Sequence, residues 1–324
     1  MASGDIAHGG TELMGASPFR GRPAQSVAYM TKHGRMFHGL SDELLASDVM
    51  ARFEGKVNLV FTSPPFPLNT KKKYGNETGD EFVRWLAAFG PLLKKMLAPD
   101  GSIVMEMGNS WVPGAPVMST LALKSLLAFQ EENELHLCQE FIWNNPARLP
   151  SPAQWVNVER VRVKDSFTRL WWMSAVEKPK ANNKKILQEY SPAMKDLLKR
   201  GTYNAGSRPS EHRIGEKSFL TDHGGAIPSN VLTISNTYNN DPYQVYCREQ
   251  EIQPHPARMP IELAKFFIKF LTDPGDLVLD PFGGSNTTGA AAEDLGRYWI
   301  SIEAQEDYIA GSKGRFNGHL LESD

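Results

Sequence analysis

Two short stretches of this chain hold residue types that do chemistry together. In Thr62-Ser63-Pro64-Pro65-Phe66 an apolar run, Val57 to Phe61, ends on a hydroxyl, two prolines and an aromatic ring. The prolines fix the backbone and remove two N–H donors, so the carbonyls there act only as acceptors. Ser63 and the Pro64 carbonyl are thus suited to hold an amine, Pro65 stiffens the turn, and Phe66 offers a ring to a planar base. Taken alone, the same residues also suit a proline-rich strand end beside a core phenylalanine. In Leu277-Val278-Leu279-Asp280 a second apolar run delivers a carboxylate, and Pro281-Phe282-Gly283-Gly284-Ser285-Asn286-Thr287 then opens a helix. Small residues at such a turn let a ligand approach the backbone, and open α/β sheets bind ligands outside their strand ends. The next apolar run, Ile300-Ser301-Ile302, ends on Glu303, a carboxylate suited to the two vicinal hydroxyls of a ribose. A tight strand-to-helix turn without a ligand is the plainer reading of this stretch alone. Its spacing is not G-x-G-x-x-G, which sets aside a nicotinamide-dinucleotide enzyme.

Both stretches need strands to deliver them and helices to cover those strands. Val57–Thr62, Ser102–Met107, Leu135–Trp143, Phe167–Met173, Asp276–Asp280 and Tyr298–Ile302 read as strands. Asp80 opens a helix whose Phe82, Trp85, Leu86, Phe89, Leu93 and Leu97 share one face. Further helices are expected over 117–133, 192–200 and 261–271, from about 286, and from about 305. Pro99-Asp100-Gly101 reads as a turn. Strands alternating with helices predict an α/β fold, a doubly wound, mostly parallel sheet covered on both faces. The expected organisation is a loose N-terminal arm over 1–25, one half of the main domain over 26–176, an inserted loop-rich module over 177–253, and the second half over 254–324.

An apolar content of 41% over 324 residues supports a sizeable core. The absence of a long apolar run argues against a membrane span, and the N-terminus shows no signal pattern, so a cytoplasmic protein is expected. Two cysteines, Cys138 and Cys247, are too few for a disulfide framework, and eight histidines lack metal-ligand spacing, so no metal is expected. The net charge of −2 hides an asymmetry: from Trp143 to Lys217 there are fifteen Lys/Arg against seven Asp/Glu. Such a strip is the footprint of a polyanion partner, although a solvated face carries similar charge.

Taken together, the two stretches resemble the S-P-P-[FY] and D-P-F-x-G-S motifs of the β-class DNA amino-methyltransferases, which modify exocyclic amino groups. The S-P-P form is typical of the members acting on cytosine N4. The resemblance extends from about Phe37 to near the end, through His255-Pro256-Ala257-Arg258, Arg162-Val163-Lys164-Asp165, Trp171-Trp172 and Leu149-Pro150-Ser151-Pro152; the last three are similar to the PvuII-type cytosine-N4 enzymes. It implies a Rossmann-like, S-adenosyl-methionine-dependent methyltransferase fold with a target-recognition module at 177–253. The implied cofactor is S-adenosyl-methionine, held by Asp280 through Thr287 with Glu303, Glu106, His255 and Pro256. The implied reaction is methylation of cytosine N4 in duplex DNA at Ser63, Pro64, Pro65 and Phe66, with the base flipped out of the helix. Phe66 is the expected stacking ring, with Trp111 and Trp143 behind it. A restriction endonuclease acting on the same site, without a stable complex, is the expected companion. Lys180, Lys184, Lys185, Arg208 and Arg213 are the expected DNA contacts.

Departures from the family pattern are Gly39-Leu40-Ser41 where Gly-Asp-Ser is usual, leaving Asp42 as a replacement, and Glu106 where a strand-end Asp is common. Adenine N6 fits the same acceptor geometry and remains an alternative, as, more distantly, does a DNA-binding protein without activity. Methylation at cytosine C5 needs a cysteine after a proline; Cys138 follows Leu137 and Cys247 follows Tyr246.

Overall fold

The computed structural model describes residues 26–66, 79–207, 209–215, 219–237, 241–316 and 318–321. A hairpin comes first, β1 (Val27–Thr31) and β2 (Gly34–His38). Two short helices, α1 (Ser41–Leu45) and α2 (Asp48–Ala51), lead to β3 (Val57–Thr62), α3 (Gly79–Met96) and β4 (Leu97–Met107). Next come α4 (Leu121–Glu132) and the antiparallel pair β5 (His136–Asn144) and β6 (Phe167–Ser174). They are followed by α5 (Pro192–Arg200), a small ribbon of β7 (Gly206–Ser207) and β8 (Arg213–Ile214), then β9 (Val231–Thr233), α6 (Pro242–Glu249) and α7 (Ile261–Leu271). The chain closes with β10 (Leu277–Asp280), α8 (Thr287–Asp294), β11 (Tyr298–Glu303), α9 (Glu306–Ser312) and β12 (Leu320–Leu321).

Ten strands form one sheet in the order β12-β1-β2-β11-β10-β3-β4-β6-β5-β9. From β2 to β4 the strands run parallel, so β11, β10, β3 and β4 end on one rim. β6 reverses against β4, pairing Arg169 with Met107, and β5 reverses again, pairing Asn144 with Phe167. The end of β5 and the start of β6 therefore lie on that same rim. The central strand β10 is buried at every position and apolar up to Asp280, because both faces of the sheet are covered there. In β3, Val60 joins the core under α3 and α4, while Leu59 and Phe61 join the core under α7, where Phe61 stacks on Phe267.

Helix α3 carries Pro91 in its interior, which strips the Ala87 carbonyl of its usual partner. The buried Asn133, just past α4, supplies it: its Nδ2 donates to Ala87 O at 3.0 Å and to Phe129 O at 2.9 Å. Gly90 lets the two helices meet, since a Cβ there would lie 2.0 Å from the Asn133 side chain.

Several elements differ from expectation. The β1–β2 hairpin, β9 and β12 carry no clear sequence signal because each strand is short and lacks a long apolar run. The expected turn at 99–101 is an irregular part of one strand, β4, and α4 starts at Leu121 instead of 117. Among the described residues of 177–253 there are two α-helices, α5 and α6, where one is expected; β9 pairs with β5, and α6 packs beside α9.

Candidate active site

The rim where β3, β4, β10 and β11 end surrounds a cleft of about 680 Å³. One wall is the end of β3. Ser63 Oγ donates to Glu106 Oε2 at 2.6 Å, and Glu106 comes from the end of neighbouring β4. Burial pushes the Glu106 carboxyl above its usual range, against the lowering effect of the Ser63 bond and of Arg148. Ser63, Pro64, Pro65 and Phe66 all line the cleft. Phe66 stands edge-on to Phe82, 5.4 Å between centroids, in a ring cluster that leads through Trp85 to Phe282.

The opposite wall is the β10–α8 turn. Asp280 is buried and accepts from Thr62 Oγ1 at 2.8 Å, Thr288 Oγ1 at 2.6 Å and the Phe282 N–H at 3.1 Å. Burial nevertheless dominates and pushes its pKa up to about 6. Gly284, at φ +49°, turns its N–H onto Glu303 Oε2 at 2.8 Å; the Gln305 N–H takes Oε1, also at 2.8 Å. A Cβ on Gly283 would come within 3.1 Å of Ser301 Cβ, and one on Gly284 within 3.2 Å of His255 Nε2. Gly283 therefore lets the turn pack against β11, and Gly284 keeps space clear toward His255, beside a carboxylate whose orientation two backbone donors fix. Burial raises the Glu303 carboxyl as well. His255, standing edge-on to Tyr308, and Pro256 close one end, and Ser41 Oγ donates to the Pro281 carbonyl at the other. Leu40 and Asp42 also line the cleft, as do Pro281, Phe282, Gly283, Gly284, Ser285 and Thr287.

One of the expected cofactor residues is placed differently. Asn286 is fully buried behind the turn in the left-handed region, capping α8: its Oδ1 accepts from the Gly289 N–H and Ser301 Oγ, and its Nδ2 donates to Tyr29 Oη. Those bonds use the side chain within the fold, so it does not face the cleft. Glu106 lines the cleft, beside Ser63 at the β3 end.

The expected DNA contacts scatter. Lys180 Nζ lies 2.6 Å from Asp276 and 2.9 Å from Asp273, and Lys185 also pairs with Asp273. These two cations hold the Asp273 carboxyl down to about 2. Both aspartates precede β10, on the rim opposite the cleft, so Lys180 and Lys185 serve the fold there. Lys184 is exposed on the same turn, and Arg213 is exposed on β8. Arg208 lies outside the described residues, as does the stretch 70–74. Of the further rings, Trp143 lines the cleft and donates to Ile234 O at 2.8 Å, whereas Trp111 lies outside it under the Arg162 guanidinium. Asn109, Asn145, Arg148, Thr168 and Asn236 also line the cleft. Asn109 follows β4, Asn145 and Arg148 share the β5–β6 connection, Thr168 lies in β6 and Asn236 follows β9; they share no motif or spacing, and no sequence signal singles them out.

Among the described residues no group of three His, Cys, Asp or Glu is arranged to hold a metal, and no helix is long and apolar enough to cross a membrane. Cys247 is buried and Cys138 half-buried, both away from the cleft.

Residues 57–314, which run from the β3 wall past the carboxylate of the opposite wall, match the family model described as DNA methylase, N6/N4 type. The type II methyltransferase M.PvuII of Proteus hauseri is 45% identical over 291 residues, covering 89% of this chain and 85% of its own. A solved structure of PvuII DNA methyltransferase (cytosine-N4-specific) superposes with a TM-score of 0.72 at 38% identity, covering 92% of this chain and 90% of that one. A DNA modification methylase from Thermus thermophilus, solved with S-adenosyl-L-methionine, shares the fold at a TM-score of 0.53 and 20% identity, over 90% of this chain and 98% of its own. With both walls of the cleft inside the matched region, the chain belongs to the N6/N4 DNA methylase family.

Proposed function

We propose that the protein transfers a methyl group from S-adenosyl-methionine to the exocyclic N4 of cytosine in duplex DNA. The observation that carries this reading is the direction of one hydrogen bond. Ser63 gives its proton to Glu106, so the lone pairs of Oγ remain for a substrate that donates. An exocyclic amine is such a donor. Its own lone pair is delocalised into the base ring, and acceptors on its two hydrogens favour the pyramidal geometry that frees it. Ser63 Oγ and the Pro64 carbonyl are the two acceptors at hand.

The opposite wall fits the cofactor. Glu303, with each oxygen already fixed by a backbone N–H, retains lone pairs for two ribose hydroxyls. The space kept clear by Gly284 admits a ligand close to the backbone. When bound there, S-adenosyl-methionine supplies a methyl group made electrophilic by its positively charged sulfur. The protein's part is to line the amine up with that group and to manage one proton. Methylation leaves the nitrogen with a proton to lose, and Ser63 can pass it to Glu106, whose raised pKa makes it a better acceptor. In a duplex the amine is inside the stack, so the base must be flipped out at a cost of a few kcal/mol. Phe66, beside the acceptors, is the ring that holds it.

The choice of cytosine N4 rests on the Ser-Pro-Pro-Phe motif and on the similarity to a relative whose name carries that specificity. The setting implied is a cytoplasmic enzyme of a restriction–modification system, whose nuclease cuts the same site when it is unmethylated and forms no lasting complex with it. The test is methylation of random duplex DNA followed by nucleoside mass spectrometry. N4-methylcytosine is expected; N6-methyladenine would move the target to adenine, and no methylated base would sink the reading. Ser63→Ala should retain cofactor affinity by calorimetry while single-turnover methylation falls by about 100-fold or more.

A further inference from the structure

Between β5 and β6 the chain leaves the cleft rim and returns to it, and both feet of this excursion, 145–166, stand in the site. Asn145 and Arg148 on the way out and Thr168 just after the return line the cleft. The feet are tied down: both Asp165 oxygens accept from Asn109 Nδ2 at 3.1 Å, Asn109 Oδ1 accepts from Arg169 at 2.6 Å, and Arg148 donates to Phe167 O at 3.0 Å. Beyond the feet the surface is unlike an ordinary solvated loop. Leu149 is 80% exposed, Val158 68%, Val161 60% and Val163 86%. Isolated apolar side chains on a surface are normal, but four along one excursion ask for a partner.

The charges interleaved with them say which partner. Arg160, Arg162 and Lys164 alternate with Val161 and Val163, and the acid among them, Glu159, accepts from Gln154 at 2.7 Å. Arg162 lies over the Trp111 ring, 3.3 Å from its centroid. Arg160, exposed and in the left-handed region at φ +56°, has no hydrogen-bond or ion-pair partner among the described residues. A second copy of this chain would need acidic residues opposite these cations, and the excursion offers it almost none. A duplex offers both phosphates for the cations and a base stack for the aliphatic tip.

Resting on the function proposed above, we propose that this excursion grips the duplex beside the target base, Arg160 on a phosphate and the Val158–Val163 tip against the base stack. An apolar tip there fills the room that a flipped base leaves behind. This places duplex binding on the rim that holds the cleft, and not at the paired Lys180 and Lys185 on the far rim.

The full-length chain tests it with V158S/V161S/V163S and, separately, Arg160→Ala. Both should bind S-adenosyl-methionine within about two-fold of the parent, since neither touches the cofactor wall. By fluorescence anisotropy the triple variant should lose about tenfold or more in affinity for duplex carrying the mapped methylation site. The loss should shrink when the base opposite the target is removed, because the stack is then already open. Arg160→Ala should flatten the salt dependence of binding by about one unit. Parental duplex affinity and salt slope in the variants would overturn the assignment, as would an equal loss on both duplexes. So would variants that lose only self-association in sedimentation. A parent chain that methylates no DNA would instead fail the functional reading, which the first experiment detects independently.

Discussion

On the function proposed above, Glu106 governs what Ser63 can offer to a substrate. While the carboxylate is ionised it accepts the serine proton, and the Oγ lone pairs are left for the amine. Once protonated, Glu106 no longer needs that proton and can no longer take one from the product. Burial raises its pKa, so this switch falls above the usual carboxylate range. Single-turnover methylation should therefore decline as pH falls through that raised value. Glu106→Gln should be slower by about 100-fold at neutral pH and show no such acid limb. An acid limb of the same shape in the variant would remove Glu106 from the proton path. At this scale the sequence is informative where residues are neighbours in the chain. Ser63 through Phe66 and Pro281 through Gly284 line the cleft together because a strand end and a tight turn place consecutive residues on one rim. Asn286 sits in the same stretch yet faces the other way, since a left-handed residue at the cap turns its side chain inward. Lys180 and Lys185 stand out in the sequence by charge alone; their aspartate partners lie far along the chain and carry no local signal.

Helix α3 shows what element-level reading catches and what it passes over. Its apolar spacing predicts the buried face, and Phe82, Leu86, Phe89 and Leu93 are buried. Pro91 should have broken it. The helix continues because Asn133, from beyond the next helix, bonds the carbonyl that Pro91 orphans. Asn133→Ala should thus cost about 1–3 kcal/mol in urea unfolding, as the buried Ala87 carbonyl loses its partner. Pro91→Ala restores a backbone N–H for that carbonyl, so in the Pro91→Ala background the same Asn133 change should cost measurably less. Additive effects would show that the two residues act independently. The β1–β2 hairpin and β9 illustrate the opposite difficulty. They are stabilised by neighbours already in the sheet, and so need no strong pattern of their own.

Across the whole molecule, three carboxyl groups, Asp280, Glu106 and Glu303, sit in or beneath one cleft with pKa values raised chiefly by burial. A carboxyl whose folded pKa lies above its unfolded value holds its proton better in the folded state. Its contribution to stability therefore falls as pH rises between the two values. For Asp280 that window runs from about 4 to about 6, and the full effect above it is at most about 3 kcal/mol. Asp280→Asn, which keeps most of the shape, should flatten the stability profile across that window relative to the parent. An unchanged profile would mean that Asp280 titrates normally. The sheet order has a consequence for how the molecule comes into being. β3, which carries Ser63, lies between β4 and β10, and Leu277 stands beside Val57 although most of the chain separates them. As the protein leaves the ribosome, β3 must wait with one edge unpaired and with Leu59 and Phe61 uncovered until α7 and β10 have been made. No nascent fragment that stops before β11 contains both walls of the cleft. Activity thus arrives only after β11 has been made, and the long interval between β3 and β11 is when the chain is most exposed to aggregation and most in need of a chaperone.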